Sequence, residues 1–170
     1  KKISALAITE PGGGSDVANL RTTARRDGDD WVLNGTKHFI SHADLADFAI
    51  CFMASGEEET PRGKRKKITA FFVDKGTKGF TVRDGYRNVS HRGYTNAILE
   101  FDDCRLPASQ VLGEVHKGFD VANSWLGATR LQVGATCLGR AERALGHAIE
   151  YAAQRQQFGQ QIGKFQGVSF

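Results

Sequence analysis

Cysteine is scarce in this chain and stands at no useful spacing. Cys51, Cys104 and Cys137 are odd in number and far apart, which argues against a disulfide framework or a cysteine metal site and for reduced thiols inside a cell. Long apolar runs are missing too, so neither a signal peptide nor a membrane span is visible. None of His38, His42, His91, His116 and His147 pairs at i, i+4 with another on a helix, and no metal is expected. No local signature marks a Ser-His-Asp arrangement. Basic residues interleaved with aromatics are absent as well. Part of the net charge of +4 comes from Arg62, Lys64, Arg65, Lys66 and Lys67 facing Glu57, Glu58 and Glu59. That segment reads as a solvated hairpin tip, and no nucleic-acid partner is expected.

What remains is an ordinary soluble composition over 170 residues, enough for one domain or one and a fraction. The chain starts at Lys1 without a methionine and stops at Phe170 inside an apolar pattern. It reads as a piece of something longer. Ser4 to Ile8 is long enough for one buried strand, which Thr9, Glu10 and Pro11 end. Gly12, Gly13 and Gly14 can take positive φ and let the backbone approach a ligand. Ser15 and Asp16 are cap types, predicting a helical turn from Val17 with amides facing the loop. The loop suits an anionic or flat ligand, or is simply a tight turn. It is no phosphate loop, for no Gly-Lys-Ser/Thr follows, and no dinucleotide fingerprint, for Val17 replaces the third glycine.

Short strands with glycine turns follow: Leu20 to Ala24, Trp31 to Leu33, Lys37 to Ser41, Asp47 to Ala54, Ile68 to Val73, Phe80 to Arg83 and Tyr94 to Phe101. Asp27-Gly28 marks a hairpin, Asn34-Gly35 a turn or bulge, and Phe48 to Met53 a fully buried run. With no helices between them, these strands predict an antiparallel barrel or sandwich that Pro107 ends. From about Gly118 the period becomes helical. Ala122, Leu126, Val133, Leu138, Ala141, Leu145, Ala148 and Ala152 keep mostly to one face. Continued to Arg155, that helix is roughly 55 Å long and cannot stand alone. Phe158-Gly159 breaks it, and Gly163 to Phe170 begins another. The fold class is therefore α+β: a β domain over residues 1–110, then residues 111–170 as the start of a truncated helical bundle.

Three motifs in order, T-E-P-G-G-G-S-D, N-G-T-K-H-F-I-S and R-Q-Q-F-G, resemble the acyl-CoA dehydrogenase family of flavoenzymes, over essentially the whole chain. The resemblance implies a middle β domain followed by a helical C-terminal domain, with FAD as cofactor. It assigns Ile8 and Thr9 to the flavin ring, Phe39 to the aromatic flank of the isoalloxazine, and Ile40 and Ser41 to the segment donating towards flavin N5. A hydroxyl there can stabilise the ring as charge develops. Arg155, Phe158 and Gln166 would reach the FAD of a neighbouring subunit, arginine suiting a pyrophosphate by its planar fork. Ser15 and Arg130 would lie near the acyl-CoA. Blander readings compete: a strand-end threonine for Thr9, a cap for Ser15, core for Phe39, a helix-end cation for Arg155, packing for Arg130. N-V-S-H-R-G-Y at Asn88 to Tyr94 only loosely follows the family's loop, and Gly127 replaces an acidic residue that in some members meets the CoA adenine.

The implied reaction is α,β-dehydrogenation of an acyl-CoA thioester. Electrons would pass to an electron-transfer flavoprotein, and the protein would be a homotetramer or dimer, cytoplasmic or in the mitochondrial matrix. A flavin oxidase or monooxygenase on the same scaffold is one alternative; a non-catalytic β-rich binding module is another. No catalytic base is expected here, since Thr129 precedes Arg130 where some members carry glutamate, and Asp120, Glu142 and Glu150 lie more than a turn away. The glutamate is expected beyond Phe170.

Overall fold

The computed structural model describes residues 1–61 and 63–170, which fall into two compact units, Lys1–Asn123 and Ser124–Phe170. Arg62, counted above in the charged segment, lies outside the described residues.

The first unit is an open, curled sheet, a half-barrel. Its strands are β1 (Ser4–Ala7), β2 (Thr23–Asp27), β3 (Asp30–Ser41), β4 (Phe48–Thr60), β5 (Gly63–Asp74), β6 (Phe80–Arg87), β7 (Thr95–Pro107) and β8 (Val111–Leu112). They run in the order β6-β7-β3-β2-β4-β5-β8, with β1 beside β4. Most neighbours are antiparallel, as the alternation predicts. Two pairings correct that expectation, for β1 and β2 both run parallel to β4. Parallel pairing needs a long connection, which the chain from β1 to β4 supplies.

One core fills the sheet: Leu33, Ile40, Met53, Phe71, Val73 and Leu99 are buried, and Trp31 meets Phe71 edge-on at 5.4 Å. Cys51 and Cys104 belong to it, and burial pushes their thiols up to about 12 and about 11, so both stay neutral. The predicted run Phe48–Met53 is not buried throughout. Phe48 and Ile50 are half-buried, because one face of β4 is more open where it begins. Asn34-Gly35 lies within one long β3, not at a turn between two strands, and faces a bulge whose extra residue is on β7 at Asp102-Asp103. Gly35 takes φ 125°, and a Cβ there would stand 2.9 Å from the Thr22 Cα, so this place admits only glycine. The charged segment is a regular hairpin, with β4 and β5 paired through to Thr60–Gly63.

Helix α1 (Gly118–Gln154) starts in the first unit and makes most of the second. Its buried residues are Gly118 and Ala122, both at the start. The apolar face predicted from the sequence is present but uncovered: Val133, Leu138, Leu145 and Ile149 are all exposed. After α1 come the two-residue strands β9 (Gln156–Gln157) and β10 (Gln160–Gln161), a 3₁₀ turn at Ile162–Lys164 and the single turn α2 (Gln166–Ser169). No helix among the described residues is long and apolar enough to cross a membrane.

Candidate active site on the sheet

The end of β1 and the end of β3 meet. The His38 amide donates to the Thr9 carbonyl at 2.8 Å, laying T-E-P-G-G-G-S-D against T-K-H-F-I-S. Beneath that junction lies a buried ion pair that the sequence reading did not single out. Lys37 Nζ donates to Glu10 Oε1 at 2.8 Å and to the Ile8 carbonyl at 3.0 Å. The two side chains are 0% and 5% exposed. The Glu10 carboxylate also accepts from the Thr22 hydroxyl at 2.5 Å and from the Thr22 and Arg21 amides at 3.1 and 2.6 Å. A pair this deep persists only if its remaining hydrogen-bonding capacity is used, as here. Burial pushes the Glu10 carboxyl up, but the bonds from Lys37, Thr22 and the Arg21 amide outweigh it and leave the group below its ordinary value. Burial lowers Lys37, against the opposing pull of Glu10. A lone lysine in an otherwise apolar-inward strand, with a lone glutamate ending another, was the available signal.

The bulge beside Lys37 decides where Phe39 goes. Lys37 pairs with Leu99 and Ile40 with Ala97, so β3 spends one more residue than β7 between them. Lys37 and Ile40 therefore both face inward, and Phe39 is turned out. It takes φ 56°, a left-handed conformation rare for a bulky residue, and is 52% exposed. Its ring stacks on Tyr86 of β6, centroids 4.8 Å apart and 27° from parallel, with the His38 ring edge-on. Phe39 is thus not core, contrary to the blander reading. Ile40 is core at 2% exposure, which leaves only its main chain for a ligand. Ser41, half-buried at the end of β3, shares a hydrogen bond between its Oγ and Tyr94 Oη.

The glycine loop differs from expectation. Gly12, Gly13 and Gly14 take no left-handed φ. The Glu10 and Gly13 amides and carbonyls bond each other at 3.0 and 3.1 Å, closing the loop as a tight turn. At Gly14 a Cβ would fit only tightly, 3.3 Å from the Thr9 methyl. Val17–Asn19 is one 3₁₀ turn, and Asp16 makes no side-chain cap bond because its backbone (φ −88°, ψ 64°) lies outside the extended range that capping needs. Ser15 is exposed.

The second unit holds the other expected residues. Arg130 is exposed on α1, and the Thr129 hydroxyl donates to the Trp125 carbonyl at 3.2 Å, within its own helix. R-Q-Q-F-G forms a hairpin: Gln156–Gln157 pairs with Gln160–Gln161, and the Ile162 amide donates to the Arg155 carbonyl at 2.8 Å. At its tip Phe158 and Gly159 take φ 52° and 80°, the signs of a type I′ turn. Phe158 is 92% exposed, with its ring edge-on to Phe165. Gln166 opens α2. Each expected phenylalanine is therefore held outward by a left-handed residue, a costly arrangement that clusters at ligand sites.

Residues 5–104 match the acyl-CoA dehydrogenase middle domain, and residues 116–170 match the acyl-CoA dehydrogenase C-terminal domain. The chain belongs to the acyl-CoA dehydrogenase family. It is 40% identical over 168 residues to an acyl-CoA dehydrogenase of Bacillus subtilis, covering 99% of this chain and 43% of that protein. To the human mitochondrial short-chain specific acyl-CoA dehydrogenase it is 39% identical over 169 residues, 99% of this chain and 40% of the relative. Among solved structures it resembles a Mycobacterium smegmatis glutaryl-CoA dehydrogenase in complex with FADH2, with a TM-score of 0.82 and 34% identity over 99% of this chain and 41% of the other. The chain thus spans about two fifths of the length of the relatives it matches.

Proposed function

We propose that this chain supplies the middle β domain, residues 1–110, and the beginning of the helical C-terminal domain, residues 111–170, of an FAD-dependent enzyme that dehydrogenates an acyl-CoA thioester between Cα and Cβ. The observation that carries this reading is the bulge that holds Phe39 outward beside Thr9 and Ser41. The residues fit a flavin. Phe39 on Tyr86 offers an aromatic face, Thr9 and Ser41 offer hydroxyls at its border, and the Lys37–Glu10 pair fixes their spacing. When bound, FAD supplies the hydride acceptor.

Phe39 excludes water from one side of that site, and the Ser41 hydroxyl provides a hydrogen bond where charge develops. Arg155, Phe158 and Gln166 form an outward-facing group suited to the cofactor of a neighbouring subunit. The uncovered stripe of α1 supports packing against further chain or further copies, in a tetramer or dimer. By the family resemblance, Ser15 and Arg130 would each serve the acyl-CoA. Proton abstraction falls to a glutamate outside these residues, because the Thr129 hydroxyl is committed to Trp125 and an unactivated hydroxyl is no base at neutral pH. An electron-transfer flavoprotein would reoxidise the enzyme, in the cytoplasm or mitochondrial matrix.

The test is an anaerobic absorption spectrum of the intact protein, titrated with acyl-CoAs of graded chain length. A flavin spectrum that bleaches with one range of chain lengths is the expected result. Absence of flavin from the purified protein would overturn the proposal. Rapid reoxidation in air would assign an oxidase instead.

A further inference from the structure

We propose that Tyr94 is a positioning residue that lets the Ser41 hydroxyl present either a donor or an acceptor to its ligand without moving any heavy atom. The inference rests on the placement of Ser41 at the flavin edge given above. Ser41 lies between two left-handed residues, Phe39 at φ 56° and His42 at φ 54°, so the backbone around it is tightly specified. The His42 amide donates to the Thr95 carbonyl at 3.0 Å, tying the end of β3 to the start of β7. Tyr94 precedes β7. Its amide donates to the His91 carbonyl at 2.9 Å, and its ring takes the His42 ring edge-on at 4.5 Å. Held from both sides, its hydroxyl meets Ser41 Oγ. A phenylalanine would keep the ring contacts, so they do not explain the hydroxyl.

A serine hydroxyl has one proton and two lone pairs. When Tyr94 donates to Ser41, the serine proton is free to point outward, and the pair offers the ligand a donor. When Ser41 donates to Tyr94, a serine lone pair points outward, and the pair offers an acceptor. The exchange needs two hydroxyl rotations, and no bond to a heavy atom is broken. A flavin demands this reversal, because its N5 is an acceptor in the oxidised ring and carries a hydrogen in the reduced one. In the acceptor state the Tyr94 proton turns to solvent, which its 39% exposure allows, whereas a lone serine would have no partner for its own proton. Unpartnered donors are rarer in proteins than unused lone pairs, which marks the reduced state as the one Tyr94 favours.

The experiment is a double-mutant cycle on the intact flavin-loaded protein with Tyr94→Phe, Ser41→Ala and the double variant, measuring the midpoint potential and the visible spectrum of the flavin. We expect Tyr94→Phe to lower the potential by about 9–30 mV, equivalent to a two- to tenfold change in a two-electron equilibrium. That shift should vanish when Ser41 is already alanine. A shift with Ser41→Ala but none with Tyr94→Phe would overturn the role of Tyr94 and leave the flavin site standing. No shift with either would overturn the placement of Ser41 itself. A Tyr94→Phe shift that survives in the Ser41→Ala background would show Tyr94 acting independently of Ser41 and would also overturn the proposal. Should Tyr94→Phe fold poorly, Tyr94→His keeps a ring and a polar edge, and it is expected to restore part of the potential.

Discussion

In the sheet unit, Phe39 is turned out by a bulge whose neighbours Lys37 and Ile40 are buried; in the helical unit, Phe158 stands on a turn whose neighbours are all exposed. Both residues take a left-handed φ and both are expected against a cofactor. The first is held by a buried ion pair, by the ladder to β7 and by the His38–Thr9 backbone bond, the second by two short strands and one edge-on ring. The first position is fixed within its own domain, whereas the second is proposed to depend on surfaces supplied from elsewhere. Damage to the sheet's support should therefore appear as lost folding, and damage to the hairpin as lost cofactor retention.

The largest effect is expected at the ion pair. Lys37→Met leaves a buried carboxylate without its counter-charge and should destabilise the fold by about 3–5 kcal/mol, read as a lower denaturant midpoint at unchanged slope. A loss below about 1 kcal/mol would remove the contrast between the units. The pair also has a pH signature. Because the folded Glu10 carboxyl lies below its ordinary value of 4.5, its contribution is complete above that pH and is lost as pH falls through the lower folded value. Glu10→Gln should flatten stability against pH below about 4.5, checked by unfolding at a series of acid pH values.

Next comes Ser41→Ala, which should slow flavin reduction more than it weakens folding. One lost hydrogen bond accounts for about 0.5–1.5 kcal/mol, and for more where charge develops. Unchanged reductive kinetics would separate Ser41 from the site. A smaller effect of mixed sign is expected at Phe158→Asn. Asparagine tolerates the left-handed conformation and makes an Asn-Gly turn, so stability should rise by about 0.5–1 kcal/mol while flavin is released at lower dilution. Equal flavin retention would detach the hairpin from the cofactor. The smallest change belongs to Thr129→Ala. Its hydroxyl serves only its own helix in this reading, so substantial activity should remain, and loss of proton abstraction would reverse the assignment.

Much of this was legible in the residue pattern, because hydrophobic alternation and turn residues act over a few positions. Asn34-Gly35, Asp27-Gly28 and the switch to a helical period near Gly118 are signals of that local kind. The order of the three motifs was equally legible, and with it the family. Tertiary structure alone decided the rest. Parallel pairing of β1 with β4 joins residues some 44 positions apart (Ser4 with Phe48), beyond the reach of any local pattern. The glycine loop keeps ordinary φ and closes through the paired Glu10 and Gly13 main-chain bonds, which the run of three glycines did not foretell. Alternation would have sent Phe39 inward; the bulge sends it outward, because burying both Lys37 on Glu10 and Ile40 in the core requires one extra residue on β3 between them, relative to their partners on β7.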